Sequence, residues 1–234
     1  MIDLHCHILP GIDDGAENIK ETVRMAELAA RDHIHTIVAT PHITKFLPNS
    51  MEQIKEKVQQ VNNVLTANAI PVTIITGGEI FSDQAEECLS ATIGSTSYIL
   101  VEFPMSYLPA STWNDITLLI DHGLRPIIAH PERNVAILHN PNLLFDLLGD
   151  NISVQVTAGS LTGEFGPSVR ECAFYLLQQG IVDFIASDAH STIHRIPQLS
   201  VAVNKAARIV GKDRATAMVT KNPQLVLDNK ILER

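Results

Sequence analysis

Thiols are scarce in this chain, basic residues are outnumbered, and no apolar run is long. The three cysteines, Cys6, Cys88 and Cys172, cannot form an even disulfide framework, which is the pattern of a reducing compartment. Each is expected to be a buried free thiol. Lys and Arg number 17 against 26 Asp and Glu, for a formal charge of −9, whereas a broad nucleic-acid surface would be basic. No stretch approaches the roughly 18 consecutive apolar residues of a membrane span, so no direct membrane insertion is expected. The N-terminus opens on a strand pattern without the basic region and apolar core of a signal peptide, making cytoplasmic the expected location. No linker or low-complexity tract interrupts the chain, and residues 1–234 are read as a single domain of a length that suits an α/β barrel.

Several signature loops are also missing. No cysteine is followed by five residues and an arginine, and neither a Gly-x-x-x-x-Gly-Lys-Ser/Thr loop nor a Gly-x-Ser-x-Gly elbow occurs. Thiol, P-loop and serine chemistry are thereby excluded, which leaves metal-bound water.

What is present is a repeated ending. Short apolar runs stop in His, Asp or Glu: Met1-Ile2-Asp3-Leu4-His5-Cys6-His7, Ile37-Val38-Ala39-Thr40-Pro41-His42, Ile74-Ile75-Thr76-Gly77-Gly78-Glu79, Tyr98-Ile99-Leu100-Val101-Glu102, Pro126-Ile127-Ile128-Ala129-His130 and Val182-Asp183-Phe184-Ile185-Ala186-Ser187-Asp188-Ala189-His190. Strands are expected near 2–6, 35–41, 71–77, 97–103, 125–130, 151–157 and 181–187, with helices over 16–32, 51–68, 112–122 and 169–179 and two or three more after Val201. Alternating strands and helices imply a parallel sheet. Because both ends of the sequence contribute strand-end ligands, a distorted, seven-stranded barrel with its site at the C-terminal strand ends is expected over an open sheet.

His5 and His7 project to one face of a strand, opposite Cys6, and Asp188 and His190 repeat that spacing. Asp13-Asp14-Gly15 reads equally as a turn with a helix cap or as a source of an oxygen ligand in Asp14. Glu79 follows two glycines that admit close backbone approach, and Glu102 inside an apolar run is costly to bury unpaired. Arg133 and Arg195 follow strand-end ligands and can fork around phosphate oxygens. His33, His35 and His122 flank helix ends, His139 sits in a loop, and His194 lies near the final motif without an assigned role.

Taken in order, these residues resemble the polymerase and histidinol phosphatase superfamily. Within it they are similar to the bacterial manganese-dependent protein-tyrosine phosphatases of capsule and exopolysaccharide operons, over essentially the whole chain. The resemblance implies three divalent ions, manganese in the family, with iron or zinc also suited to the ligands. One ion takes His5, His7, Glu79 and Asp188; another takes Asp14, His42 and His190; the third takes Glu102 and His130, with Glu79 bridging. It also implies hydrolysis of phosphotyrosine on a partner protein, a cognate bacterial tyrosine kinase, with Arg133 and Arg195 as the catalytic phosphate clamp. Phe46, Leu47, Tyr107, Leu108 and Phe165 offer an apolar rim for an aromatic substrate; of these Phe46, Leu47 and Tyr107 are the expected substrate-binding residues. The competing readings are a histidinol-phosphate phosphatase with the same metal site, a nuclease module, a metal-dependent amidohydrolase, whose bridging lysine is absent, and a binding protein without catalysis.

Overall fold

Buried apolar runs alternate with amphipathic segments in the computed structural model, which describes residues 1–149 and 151–232; positions 150, 233 and 234 of the expected domain lie outside the described residues. The strands are β1 (Ile2–Cys6), β2 (Thr36–Ala39), β3 (His42–Ile43), β4 (Thr73–Thr76), β5 (Glu79–Phe81), β6 (Tyr98–Glu102), β7 (Arg125–Ala129), β8 (Ser153–Thr157) and β9 (Phe184–Ala186). The helices are α1 (Ile19–Arg31), α2 (Met51–Ala67), α3 (Thr112–Asp121), α4 (Val135–His139), α5 (Asn142–Phe145), α6 (Ala158–Thr162), α7 (Pro167–Gln178), α8 (Ser200–Val210), α9 (Lys212–Ala217) and α10 (Lys221–Leu227). Local chemistry sets their ends. Asn18 accepts from the Lys20 and Glu21 amides to start α1, three residues later than the pattern predicts. Ser50 and Gln53 form a capping box on α2, and Pro167 opens α7.

The ladders between these strands are parallel but do not form the expected closed barrel. They make a three-stranded sheet, β1-β2-β4, and a six-stranded sheet, β3-β5-β6-β7-β8-β9. Two of the seven expected strands, those over 35–41 and 71–77, are each followed by a second short strand past a break. Pro41, which has no N–H to give a ladder, separates β2 from β3, and Gly77-Gly78 separates β4 from β5. A Cβ on Gly77 would lie 2.7 Å from Val38 Cγ1, so the chain crosses its neighbour there only as glycine. The first halves pair in one sheet and the second halves in the other. β1 does return to β9, as the ligand positions require, through an isolated Cys6–Ala189 bridge and the bonds Asp188 N–H to His5 O and His7 N–H to Ala189 O, both 2.8 Å.

β1 carries a second irregularity. Its register against β2 shifts between Asp3 and Cys6. Ile2 and Leu4 join one apolar cluster with Val38, Tyr98, Leu100, Ile127 and Phe184, whereas Cys6 joins the larger core beneath the helices. The shift spans His5, so the strand is re-aimed where its ligands begin. All three cysteines are free and buried, as expected. No helix among the described residues is long and apolar enough to cross a membrane.

The segment after β9 is tied back by Asp32, at the end of α1. Its Oδ2 accepts the Leu199 and Ser200 amides at 2.7 and 2.9 Å, and its Oδ1 accepts the Ser200 hydroxyl. This carboxylate caps α8 from a distant part of the chain, so Asp32→Ala should destabilise the protein by about 1–3 kcal/mol. Chemical denaturation should give an earlier midpoint with unchanged helical circular dichroism; an unchanged midpoint would mean the cap contributes nothing.

Candidate metal centre

The strand ends converge. Glu79, at the start of β5, spans four imidazoles: its Oε1 is 3.0 Å from His130 Nε2, and its Oε2 is 3.2 Å from His5 Nε2, 3.2 Å from His42 Nδ1 and 3.3 Å from His7 Nε2. Asp188 Oδ1 lies 3.3 Å from His5 Nε2, 3.5 Å from His7 Nε2 and 3.7 Å from His190 Nδ1. Asp14 Oδ1 faces His190 Nε2 at 3.4 Å and His42 Nε2 at 3.7 Å. Glu102 stands farther off, 3.8 Å from His130 Nε2 and 3.9 Å from His42 Nδ1. All nine residues singled out from the sequence as ligands therefore meet in one cluster. Their ligand atoms gather as His7, Asp14, His42 and His190; as His5, Glu79 and His130; as His5, His7 and Asp188; and as His42, Glu79 and Glu102.

Two residues that orient the histidines escaped the sequence reading. His7 Nδ1 lies 2.7 Å from Asp13 Oδ2, which also accepts the His42 amide, and His5 Nδ1 lies 3.0 Å from Gln155 Oε1. With each Nδ1–H donated outward, both Nε2 lone pairs point inward, the arrangement that fixes metal-binding imidazoles. Asp13 read only as a turn residue; its neighbour Asp14 drew the attention. Gln155 is fully buried at the centre of β8, and a buried amide in an apolar strand was the available signal. Gly15 closes the Asp13-Asp14 turn against β1, where a Cβ would lie 2.0 Å from His7 O.

These residues fit divalent cations. His5 Nε2 and His7 Nε2 face each other at 3.2 Å, and two bare lone pairs at that separation repel. Glu79 Oε2 and Asp188 Oδ1 are buried with no hydrogen-bond donor, a cost that a cation between them and the imidazoles removes. The donor set of imidazoles and carboxylates without thiolate suits manganese, iron or zinc.

Electrostatics follow from this crowding. Burial and the neighbouring charges of Glu79 and Asp188 push the Glu102 carboxyl up to about 9. Burial works against ionised Glu79 and Asp188 too, but nearby positive charge, that of His5 first, holds both well below the usual carboxylate range. Burial lowers His42, His130 and His190; for His5 and His7 the surrounding carboxylates overcome burial and raise them.

Both arginines reach the same carboxylate. Arg133 Nη1 donates to Asp188 Oδ2 at 2.5 Å, and Arg195 Nη2 pairs with the same oxygen. His130, Asp188 and Arg195 all have left-handed backbones, with φ of 31°, 52° and 51°. Such strained conformations gather at functional sites. A cavity of about 400 Å³, lined by Asp14, His190, Ile193 and Arg195, opens beside the cluster.

The aromatic and aliphatic residues read as a rim take different positions. Phe46, Leu47 and Tyr107 are 93%, 37% and 57% exposed on loops after β3 and β6, while Leu108 packs on the core. Phe165 instead lies beneath both guanidiniums, its centroid 4.5 Å from Arg133 Cζ and 5.9 Å from Arg195 Cζ. His33, His35, His122, His139 and His194 are exposed and take no part in the cluster.

Comparison with known proteins agrees with this geometry. The chain is 36% identical to the tyrosine-protein phosphatase YwqE of Bacillus subtilis, over 100% of this chain and 94% of that one. It is 28% identical to the tyrosine-protein phosphatase CpsB of Streptococcus agalactiae serotype V, over 98% and 99% of the two chains. A solved structure from work on YwqE of Bacillus subtilis and CpsB of Streptococcus pneumoniae, described as unique metal-dependent tyrosine phosphatases, superposes with a TM-score of 0.94 at 35% identity, covering 100% of this chain and 97% of that one. An organophosphorus hydrolase from Deinococcus radiodurans, at 13% identity and a TM-score of 0.59, shares the fold alone. The family described as capsular polysaccharide synthesis, CpsB/CapC, matches residues 1–228, and the chain belongs to it.

Proposed function

We propose that residues 1–234 act as one metallophosphatase domain that hydrolyses phosphotyrosine on a protein, with a bacterial tyrosine kinase of capsule or exopolysaccharide synthesis as the partner. The observation that carries this reading is the pairing of two features on one carboxylate. Asp188 turns its unpartnered Oδ1 to the imidazoles and its Oδ2 to two arginines. One side suits divalent cations, the other a phosphoryl group.

Three ions would be held by His5, His7, Glu79 and Asp188, by Asp14, His42 and His190, and by Glu102 and His130 with Glu79 shared; manganese is proposed, with iron and zinc as the alternatives. When bound, they supply Lewis acidity toward water and the phosphoryl oxygens. The remaining work falls to side chains. Gln155 and Asp13 hold the His5 and His7 rings in the inward-facing tautomer. Arg133 and Arg195, each more than three-quarters buried at the side chain, offer planar donors that match two phosphoryl oxygens and keep the phosphate oriented. Tyrosine is a fair leaving group, at a pKa of about 10, so no side chain is assigned as its proton donor.

The reading is tested by chelation, then turnover of a phosphotyrosine peptide, phosphoserine and histidinol phosphate after add-back of individual metals. Activity restored on phosphotyrosine supports it; turnover confined to histidinol phosphate would replace it. In the same assay His5→Ala and Asp188→Asn should lose nearly all kcat in metal-limited buffer while remaining folded, and retention of most activity would remove both from the ligand set.

Arg133→Ala and Arg195→Ala should each cost about 2–4 kcal/mol in kcat/KM, as expected for losing a charged contact to the transition state. Lysine should rescue only part, since a point charge lacks the fork. Bound metal, measured by elemental analysis, should not change; its loss would make the arginines supports for Asp188.

Substrate choice is assigned to the rim, because ions and arginines contact only phosphate. The Phe46→Ala, Tyr107→Ala double variant should turn over a phosphotyrosine peptide less well while a small phosphate ester is spared, with about 0.5–1.5 kcal/mol lost per aromatic contact. Equal losses on both substrates would take the rim out of recognition.

A further inference from the structure

Arg133 and Arg195 come from distant parts of the chain, yet one short segment is tied to the backbone beside each and lies beneath both. Helix α6 and the loop after it read Ala158-Gly159-Ser160-Leu161-Thr162-Gly163-Glu164-Phe165-Gly166. Ser160 Oγ donates to Glu132 Oε1 at 2.6 Å, and Glu132 also accepts the Thr157 amide at 2.9 Å. The segment is thus fastened to the turn Pro131–Arg133 that carries the first arginine. Glu164 Oε1 accepts the Arg195 amide at 2.9 Å, which fastens it to the loop carrying the second. Between these anchors the Phe165 ring lies under both guanidiniums.

The backbone presents that ring deliberately. Gly163 and Gly166, with φ of 93° and 91°, bracket Glu164-Phe165 in conformations that side chains disfavour. Gly159 leaves the space the pair needs: a Cβ there would lie 2.8 Å from Phe165 Cε2 and 2.8 Å from Glu164 Oε2. Two cations drawn to one carboxylate oxygen repel each other. An aromatic face beneath both offers attraction to each and leaves their in-plane N–H groups free for oxygen acceptors.

We propose that Phe165 is a positioning residue that holds the Arg133 and Arg195 guanidiniums as a paired anion clamp. The kinetic part of the proposal rests on the phosphatase reading; the positioning itself does not. Phe165→Leu keeps apolar bulk and removes the π face, Phe165→Tyr keeps the face, and Gly159→Ala leaves Phe165 unaltered while crowding both its ring and the Glu164 carboxylate.

The test that needs no turnover is nitrogen-15 NMR of the arginine Nε–H groups in protein loaded with diamagnetic zinc. The ring should shift the Arg133 and Arg195 signals upfield; Phe165→Leu and Gly159→Ala should move them toward the exposed-arginine position and broaden them, and Phe165→Tyr should leave them in place. With manganese-loaded enzyme, Phe165→Leu should lower kcat/KM on a phosphotyrosine peptide by about five- to thirtyfold, the range of one or two cation–π contacts. Inhibition by inorganic phosphate should weaken in parallel, with melting temperature and metal content unchanged. In an Arg133→Ala, Arg195→Ala background the same substitution should add little further loss. Unmoved Nε–H signals in Phe165→Leu overturn the proposal, as does a kinetic loss undiminished without the arginines, or one explained by lost metal. If the unaltered enzyme hydrolyses no phosphoester, the phosphatase reading fails while the NMR signals still decide the role of Phe165.

Discussion

Glu79 and Asp188 are each about 1% exposed, and each keeps one oxygen without a donor among inward-facing imidazoles. A carboxylate so placed is stable only if positive charge comes to it, because burial in a low-dielectric interior penalises the ionised form by several kcal/mol. The rest of the site follows from that need. The histidines supply part of the charge when protonated and all of the geometry when a cation replaces the protons. The arginines supply the remainder to the far oxygen of Asp188. Asp188 therefore couples two subsystems, an imidazole side and a guanidinium side, through one carboxyl group held at a strained backbone position.

The two broken strands serve the same end. An unbroken β4 would place Glu79 at a regular position along the ladder beside β2. The Gly77-Gly78 step instead transfers the chain to the second sheet, where Glu79 pairs in register with His42 and Leu100. Pro41 makes the matching transfer for His42. The fold gives up continuous ladders at these two places, and in return two ligands from different strands, His42 and Glu79, stand as register partners with Nδ1 and Oε2 3.2 Å apart. Strand irregularities beside an active site are a recurrent way of re-aiming side chains.

Much of this was legible in the sequence because it is periodic or paired. Apolar runs with polar ends marked the strands, and the spacing of His5 and His7, and of Asp188 and His190, marked shared faces. The barrel was not so marked: periodicity identifies strands but carries no information on where a ladder passes from one sheet to another. The Gly-Gly and Pro signals were present, and they were read as close approach and ligand context, not as breaks. The shift within β1 was equally silent, since the same letters fit an unbroken alternation. Asp13 and Gln155 were missed for a different reason. A residue that orients a ligand through its second nitrogen needs no fixed spacing from it, as the separation of His5 and Gln155 illustrates. Phe165 was visible as a rim aromatic, but its partners, Arg133 and Arg195, are joined to it only by the tertiary fold.

The division between cluster and surroundings also says where variation can occur without loss of chemistry. His5 and His7 are fixed by Gln155 and Asp13 at 3.0 and 2.7 Å, and Gly15 has no room for a side chain, so substitution there alters several distances at once. The loops after β3 and β6 are held through their backbones, as where the Lys45 amide donates to Gln84 and Asn134 donates to Tyr107 O, both at 2.9 Å, while the Phe46 and Tyr107 side chains are exposed. Helix α6 and the loop after it lie between these extremes, bound to the two arginine-bearing segments by Ser160 on Glu132 and by Glu164 on the Arg195 amide. A cluster that senses only phosphate, beside loops free to change, can keep one hydrolytic chemistry while its preference for leaving groups varies. In this chain one connection between the two is Asn134, which follows Arg133 and donates to Pro104 O and Tyr107 O at 2.7 and 2.9 Å, so the turn that carries an arginine also holds the loop that carries a rim aromatic.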